Sequence, residues 1–247
     1  MFVCTVLPTY NEEANIVLLV ESLLNNEQGS NMVLVVDDNS CDATAEKVRK
    51  LSIKYNRYDK IKVALVQRRN DRGLTTAIQY GIDVATKRYG ANIVTWMDCD
   101  LSMPPEDVPQ LLKPLVEGAA DIVIGSRWIS GGADIAHGLM ARTLSKLING
   151  WAQILLGNDI SDYTSGFVAA NTKVLQTLRL QGDYGEYCID FICRSKRNGY
   201  KIVEIPYVCV PRTKGQSKTG LNLYDYLMRG RKYISTVWKL FIYKQSV

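Results

Sequence analysis

Two aspartates separated by one residue follow an apolar stretch near the middle of the chain. Asp98 and Asp100 come directly after a predicted strand, and Pro104 and Pro105 begin the next predicted helix. Carboxylates at this spacing can converge on one hard divalent cation, with Ser102 as a third oxygen ligand. Such a cation neutralises a departing diphosphate. The alternative is two acidic loop residues, one of which caps the helix, and the spacing alone leaves both interpretations open.

A second acidic pair, Asp37 and Asp38, follows the predicted strand that ends at Val36. An acid at the carboxyl end of a parallel strand can accept hydrogen bonds from a base or a ribose, because open α/β sheets bind ligands there. Helix capping by Ser40 or Asp42 is the structural alternative, although capping does not explain the preceding pair of acids.

A third polar segment, residues 8–13, follows the first predicted strand. Asn11 is positioned to cap the next helix, with Glu13 in its first turn. Tyr10 has an alternative role, since an exposed aromatic ring beside a strand end can stack on a base.

These three segments lie within a regular alternation of β-branched runs and amphipathic stretches, which predicts an α/β fold with a mainly parallel sheet flanked by helices. The predicted strands are 2–7, 32–36, 61–66, 92–97 and 121–124, and the predicted helices between them are 12–25, 43–55, 74–89 and 105–117. Beyond Gly125 we predict a helix over 139–156, a strand over 202–210, a basic loop over 211–220 and an amphipathic helix over 221–243. We therefore expect one domain, 1–220, followed by a C-terminal helical segment, 221–247.

Composition narrows the possible partners. The 247 residues carry a net charge of +5, too small and too scattered for wrapping nucleic acid but suited to anionic substrates or an anionic membrane surface. The six cysteines form no CxxC pair, so free thiols are expected. No signal peptide is predicted, and the best apolar stretch, 233–243, is about half the ~20 residues of a membrane span.

Seven blocks in order along the chain resemble family 2 glycosyltransferases of the GT-A fold, and within them the dolichol- or polyprenol-phosphate mannose synthases. The blocks are Pro8 to Glu12, Val35 to Ser40, Arg72-Gly73-Leu74, Met97 to Ser102 with the double proline, Gly125-Ser-Arg127, Asp162 to Phe167, and Arg212-x-x-Gly-x-Ser-Lys218. The last block is much more selective than the general D-x-D pattern.

The resemblance implies a role for each matching position. It implies that the nucleoside is bound by Pro8, Tyr10, Glu12, Val36 and Asp38. It implies that Asp98, Asp100 and Ser102 bind the diphosphate through a Mg²⁺ or Mn²⁺ ion. Further contacts with the sugar-nucleotide donor are implied for Cys99, Arg212 and Lys218. It implies that Arg127 binds the acceptor phosphate, with Arg142 and Ser145 nearby on the acceptor helix. Asp98, Asp100 and Arg127 are the expected catalytic residues.

The implied reaction moves mannose from GDP-mannose to dolichyl or polyprenyl phosphate at the cytoplasmic face of a membrane. A lipid monophosphate is largely a dianion at neutral pH, so no catalytic base is needed, and we assign no role to the single histidine, His137.

The sequence is also compatible with several alternatives. UDP-glucose is a second donor, since motifs that hold a diphosphate do not distinguish the base. A sugar-nucleotide nucleotidyltransferase would carry a glycine-rich phosphate loop after the first strand, and residues 8–13 contain no glycine. An inactive binding subunit would not need the intact acids. The C-terminal helix is expected either on the membrane surface, with Trp238, Phe241 and Tyr243 inward, or packed on the core or on a membrane-spanning partner subunit.

Overall fold

A central seven-stranded sheet organises the chain. The computed structural model describes residues 1–26, 28–212 and 223–245, and within the last helix it describes the side chains of residues 230–242. One strand of this sheet runs antiparallel to both of its neighbours, and the other neighbouring pairs are parallel. The predicted α/β fold with a mainly parallel sheet is confirmed.

The strands and helices follow the predicted alternation closely. The strands are β1 (Val3–Thr9), β2 (Met32–Asp37), β3 (Val63–Gln67), β4 (Ile93–Trp96), β5 (Ile122–Ser126), β6 (Ala133–Asp134), β7 (Val168–Asn171), β8 (Ile202–Pro206) and β9 (Val208–Cys209). The order across the central sheet is β3-β2-β1-β4-β7-β5-β8, and β7 is the antiparallel strand. The helices are α1 (Ile16–Asn25), α2 (Thr44–Tyr55), α3 (Leu74–Lys87), α4 (Val108–Val116), α5 (Leu139–Leu156), α6 (Thr172–Thr177), α7 (Tyr187–Arg197) and α8 (Leu223–Gln245). The predicted strand 202–210 is divided into β8 and β9, and β9 pairs with β6 in a separate two-stranded sheet.

The sheet buries a hydrophobic cluster on each face because successive side chains of a strand point to opposite sides. Cys4 and Val6 of β1 face a cluster formed with α3, α5, α7 and α8, whereas Val3 and Leu7 face the cluster formed with α1, α2 and α4. Helix α3 lies very close to β1, since a Cβ on Gly81 would come within 2.3 Å of Val6 Cγ1. A residue without a side chain is required at that contact.

The loops after β1, β2 and β4 carry the three non-glycine residues with positive φ among the described residues: Asn11, Asn39 and Leu101. Such conformations persist where the surroundings impose them and cluster at functional sites. The first two loops bind each other, since the Asn11 amide donates to Ser40 Oγ (2.8 Å) and the Cys41 amide to Asn11 Oδ1 (3.0 Å). The predicted capping of α1 by Asn11 is therefore wrong, because its side chain bonds to the neighbouring loop.

Helix α8 packs on the domain core as well as facing solvent. Val237 and Leu240 are buried and Phe241 packs against the same cluster, while Ile234, Trp238 and Ile242 are about half exposed. Phe241 thus follows the alternative of packing on the domain core, with its ring centroid 5.9 Å from that of Trp238, and the Tyr243 side chain lies outside the described residues. None of the described helices is both long enough and apolar enough to cross a membrane.

Candidate active site

A cavity of about 590 Å³ opens at the carboxyl ends of β1 and β4. It brings together most of the residues predicted to bind the donor. Its wall includes Pro8, Tyr10, Glu12, Asp98, Cys99, Asp100, Ser102, Arg127 and Arg212. Strands β1 and β4 are direct neighbours, so the first and third polar segments of the sequence meet at one edge of the sheet.

The two aspartates after β4 face a cation across this cavity. Arg212 Nη2 lies 2.9 Å from Asp100 Oδ2, and the Ser102 amide donates to Asp100 Oδ1 at 3.0 Å. Burial, followed by the negative charge of Asp100, raises the pKa of Asp98 to about 7, with Glu12 adding a smaller increase against the opposing charge of Arg212. Among the described residues, no hydrogen bond reaches the Asp98 carboxylate.

The aspartate pair therefore fits a divalent cation on three grounds. The negative charges of Asp98 and Asp100 lie close together with little access to solvent. Their ligand atoms are oxygens, and the Asp98 carboxylate has no hydrogen-bond donor in the described part of the chain. A bound cation relieves this repulsion directly. Leu101, between the second aspartate and Ser102, has a φ of 64°, which marks a constrained turn at this position.

Tyr10 and Glu12 form the side of the cavity next to the β1 loop. The Arg72 guanidinium lies over the Tyr10 ring at 4.6 Å from its centroid, and Asn15 Nδ2 donates to Glu12 Oε2 at 3.1 Å. Arg72 belongs to the Arg-Gly-Leu block of the sequence, so that block supports the ring that was predicted to stack on a base.

Val36 and Asp38 do not line this cavity. The Val36 side chain is fully buried in the hydrophobic core. The Asp38 carboxylate is bound by Arg68 through Nε (2.6 Å) and Nη2 (2.7 Å), and it also accepts from the Gly73 amide at 3.0 Å. Asp38 therefore holds the loop that carries Arg72, a positioning role that the sequence did not indicate.

Arg127 is already paired with acids. Its Nε and Nη2 donate to the two oxygens of fully buried Asp162 at 2.8 and 2.9 Å, and its Nη1 lies 3.4 Å from Asp134. Thr164 Oγ1 accepts a further bond from Nη2 at 3.0 Å. The guanidinium is thus held rigidly at the wall of the cavity, and a ligand would meet a cation whose charge is largely balanced.

A second cavity of about 400 Å³ shares Arg127 with the first and is lined by basic side chains. Arg142 and Lys146 of α5 project into it beside Trp128. Arg142 Nε and Trp128 Nε1 are buried donors without a hydrogen-bond acceptor among the described residues. Buried donors of this kind cost free energy unless a ligand or water pairs with them, so the geometry suits an anion.

Ser145, the remaining predicted acceptor residue, lines neither cavity. The Ser145 hydroxyl lies 3.4 Å from Thr164 Oγ1 and does not reach either cavity wall. Lys218 falls outside the described residues, together with most of the basic loop.

Sequence reasoning missed an aromatic wall contributed by late segments of the chain. Tyr184, Tyr187, Tyr207 and Tyr233 line the first cavity, and Trp96 Nε1 donates to the Tyr187 hydroxyl at 2.9 Å. Gly185 makes room for one of them, because a Cβ there would lie 2.0 Å from the Tyr233 hydroxyl oxygen. No local spacing signals this arrangement, since the four tyrosines come from three separate segments.

Comparison with known sequences places these features in a family. The family model described as glycosyl transferase family 2 matches residues 4–179. The chain is 32% identical over 92% of its length to the dolichol-phosphate mannosyltransferase of Pyrococcus furiosus, and 33% identical over 91% to the polyprenol monophosphomannose synthase of Mycolicibacterium smegmatis. It spans 62% of the length of the first relative and 83% of the second.

Solved structures agree on the fold. The chain is similar to glucosyl-3-phosphoglycerate synthase of Mycobacterium tuberculosis in complex with Mn²⁺, UDP and phosphoglyceric acid, at a TM-score of 0.72 and 20% identity, over 97% of this chain and 78% of that one. The same synthase with Mn²⁺, UDP-glucose and phosphoglyceric acid gives a TM-score of 0.71. At this identity the likeness concerns the arrangement of strands and helices.

Proposed function

Because the chain belongs to glycosyl transferase family 2, we propose that it transfers mannose from GDP-mannose to a dolichyl or polyprenyl phosphate. The two relatives named for mannose transfer to such lipids match over nine tenths of the chain, which supports this substrate class. The observation that carries the proposal is the cavity in which Asp98 and Asp100 meet Arg212.

The donor half of the site belongs to the first cavity. Asp98 and Asp100, with Ser102 beside them, would hold Mg²⁺ or Mn²⁺, and this ion when bound neutralises the departing nucleoside diphosphate. Arg212 supplies a further positive charge next to Asp100. Tyr10, backed by Arg72, offers a flat ring to the base, with Pro8 and Glu12 beside it.

The acceptor half belongs to the second, basic cavity. The donors on Arg142 and Trp128, which have no acceptor in the described part of the chain, and the ammonium of Lys146 suit a phosphate monoester. Arg127 separates the two cavities, and Asp162 fixes its position. We assign to Arg127 the alignment of the two phosphates rather than the main charge for the acceptor.

The proposed chemistry is one displacement at the anomeric carbon. An oxygen of the acceptor phosphate attacks the sugar C1, and the bond from C1 to the diphosphate oxygen breaks with its electron pair leaving on the nucleotide. The configuration at C1 inverts. The second pKa of a phosphate monoester is about 6, so the nucleophile is ionised before it binds and no side chain has to remove a proton.

Two adjacent helices support a position at a membrane surface. Helix α5 packs against α8, and both leave apolar side chains exposed to solvent. These are Leu147 and Ile154 on α5 and Ile234, Trp238 and Ile242 on α8. Exposed Lys146, Arg231 and Lys239 on the same helices suit anionic head groups. We propose that this surface keeps the protein at the cytoplasmic face of a membrane, with a membrane-spanning partner subunit as the alternative contact.

A donor panel tests the proposed reaction. The protein is incubated with Mn²⁺ or Mg²⁺, polyprenyl phosphate and labelled GDP-mannose, UDP-glucose or other nucleotide sugars in turn, and the lipid is then extracted. Label from GDP-mannose in the organic phase supports the proposal, and label from UDP-glucose alone would reassign the donor. Absence of lipid label with every donor, or release of pyrophosphate from sugar phosphate and nucleoside triphosphate, would overturn it.

A further inference from the structure

A second group of potential metal ligands lies between the two cavities, apart from the aspartate pair. Asp134, His137 and Cys209 each offer one ligand atom, and these atoms all lie within 4.8 Å of one another. Asp134 and Cys209 are buried, while the His137 side chain is half exposed. His137 and Cys209 line the first cavity and Asp134 lines the second.

The backbone fixes this group in place. Asp134 and Cys209 are directly opposite each other in the parallel pair of β6 and β9, and the Ile135 amide donates to the Cys209 carbonyl at 2.9 Å. The His137 amide donates to Asp134 Oδ1 at 3.1 Å, which closes the turn that returns the imidazole to the carboxylate. Three residue types from two chain segments are thus brought together by a small sheet that neither segment could form alone.

The distances suit a small tetrahedral ion. His137 Nδ1 lies 3.0 Å from both Asp134 oxygens. Zinc bound to nitrogen and oxygen at about 2.0–2.2 Å separates such ligands by roughly 3.4 Å, and the longer bond to sulfur, about 2.3 Å, gives a slightly larger spacing. The nitrogen and oxygen atoms are therefore already near this spacing, and the sulfur, which lies within 4.8 Å of both, would move closer on binding.

The ligand types identify the class of ion. Without an ion, His137 pairs with the Asp134 carboxylate and hydrogen-bonds with Cys209, and these contacts hold a nitrogen, an oxygen and a sulfur at one point. Sulfur and imidazole favour borderline-soft cations, whereas Mg²⁺ and Mn²⁺ prefer oxygen ligands of the kind that Asp98 and Asp100 supply. The three side chains leave a fourth coordination position for water or for an oxygen of a bound substrate.

We propose that Asp134, His137 and Cys209 form a binding site for a Zn²⁺-class cation, separate from the aspartate pair and placed in the wall between the donor and acceptor cavities. One of the two Asp134 oxygens available to the ion, Oδ2, also lies 3.4 Å from Arg127 Nη1. Arg127 keeps its two bonds to Asp162 when Asp134 binds the ion.

Cobalt provides the first test, because Co²⁺ bound to a thiolate gives a sulfur-to-metal charge-transfer band. The full chain is titrated with Co²⁺ without nucleotide, and the band is expected to saturate at one equivalent and to disappear in Cys209→Ser. Cys41→Ser, which alters an exposed thiol outside the group, and Asp98→Asn should both retain it. Absence of the band in the unaltered protein, or its survival in Cys209→Ser, would overturn the proposal.

The single histidine provides a second, independent readout. Its imidazole proton resonance reports only His137, and Zn²⁺ should shift it in the unaltered protein. Asp134→Asn should raise the apparent Kd for Zn²⁺ by about tenfold or more, since even residues that only support metal ligands contribute about 10–100-fold. Circular dichroism identifies any variant that fails to fold, and an equal Zn²⁺ response in folded Asp134→Asn would contradict the assignment.

Discussion

At the residue scale, the site combines carboxylates that line the cavity with buried carboxylates that hold neighbouring loops in place. Asp98 and Asp100 face the cavity, whereas Asp38 was expected there and is instead paired with Arg68. Both kinds of acid follow a parallel strand, so their sequence contexts are alike. The difference depends on a partner thirty residues away in sequence, and local spacing carries no information about it.

Removal of the Arg68 guanidinium should destabilise the fold, because it leaves the buried Asp38 carboxylate without its charge partner. For Arg68→Met we expect a loss of about 3–5 kcal/mol in the free energy of unfolding, measured by urea denaturation. Asp38→Asn in the same background should recover part of it. A loss below about 1 kcal/mol would show that the pair does not hold the loop.

Arg142 should act on the acceptor and not on the donor. In Arg142→Gln we expect the KM for polyprenyl phosphate to rise about tenfold or more, because a hydrogen bond to a charged group is worth roughly 1.5–3 kcal/mol. The affinity for GDP should stay unchanged. Lys113→Gln removes an exposed cation from α4, outside both cavities, and serves as the control. An equal rise in the two variants, or weaker GDP binding in Arg142→Gln, would contradict the assignment.

At the scale of elements, the sequence patterns predicted the helices and strands that have local signals. They missed the short strands that form only by pairing with distant segments. The bounds of α5 agree with the predicted helix 139–156 because its apolar spacing and the following glycine are local signals. Strand β7 was missed, since a short antiparallel strand inserted between β4 and β5 has no periodicity of its own. The sheet of β6 and β9 was missed for the same reason, and with it the convergence of Asp134 and Cys209.

The contact between α8 and the loop before α7 depends on one glycine. In Gly185→Ala the added methyl group would collide with the Tyr233 hydroxyl, and overpacking of this kind typically costs about 1–3 kcal/mol. We expect a lower melting temperature for Gly185→Ala and partial recovery in Gly185→Ala with Tyr233→Phe, which removes the colliding oxygen. An unchanged melting temperature, or failure of Tyr233→Phe to recover it, would mean that the two groups do not touch.

The exposed apolar surface of α5 and α8 should bind anionic membranes. A charge at its centre, in Trp238→Glu, should reduce flotation with anionic liposomes by about tenfold, since transfer of a large aromatic side chain is worth 1.5 kcal/mol or more. Ser235→Glu introduces the same charge at an exposed position of the same helix, beside the exposed apolar residues Ile234, Trp238 and Ile242. If both variants float equally well or equally poorly, these apolar residues are not the membrane contact.

At the scale of the whole molecule, the sequence predicted the fold and the edge of the sheet that carries the site, but not the division of that edge into two cavities. The carboxyl ends of β1 and β4 meet because parallel strands align them, which the alternation of elements already implied. The separation into a donor cavity and a basic cavity arises from Arg127, which Asp162 locks into the wall between them. The ion pair of Arg127 and Asp162 joins the end of β5 to the segment before β7, and these two segments meet only in the folded chain.

The central claim is that Asp98 and Asp100 bind a divalent cation that holds the nucleotide diphosphate. The most direct measurement is calorimetric titration of GDP with and without Mn²⁺, in the unaltered protein and in Asp98→Asn. The account predicts at least about tenfold tighter GDP binding with Mn²⁺ in the unaltered protein and no such gain in Asp98→Asn. The same gain in both proteins would contradict it, because the ion would then be held elsewhere.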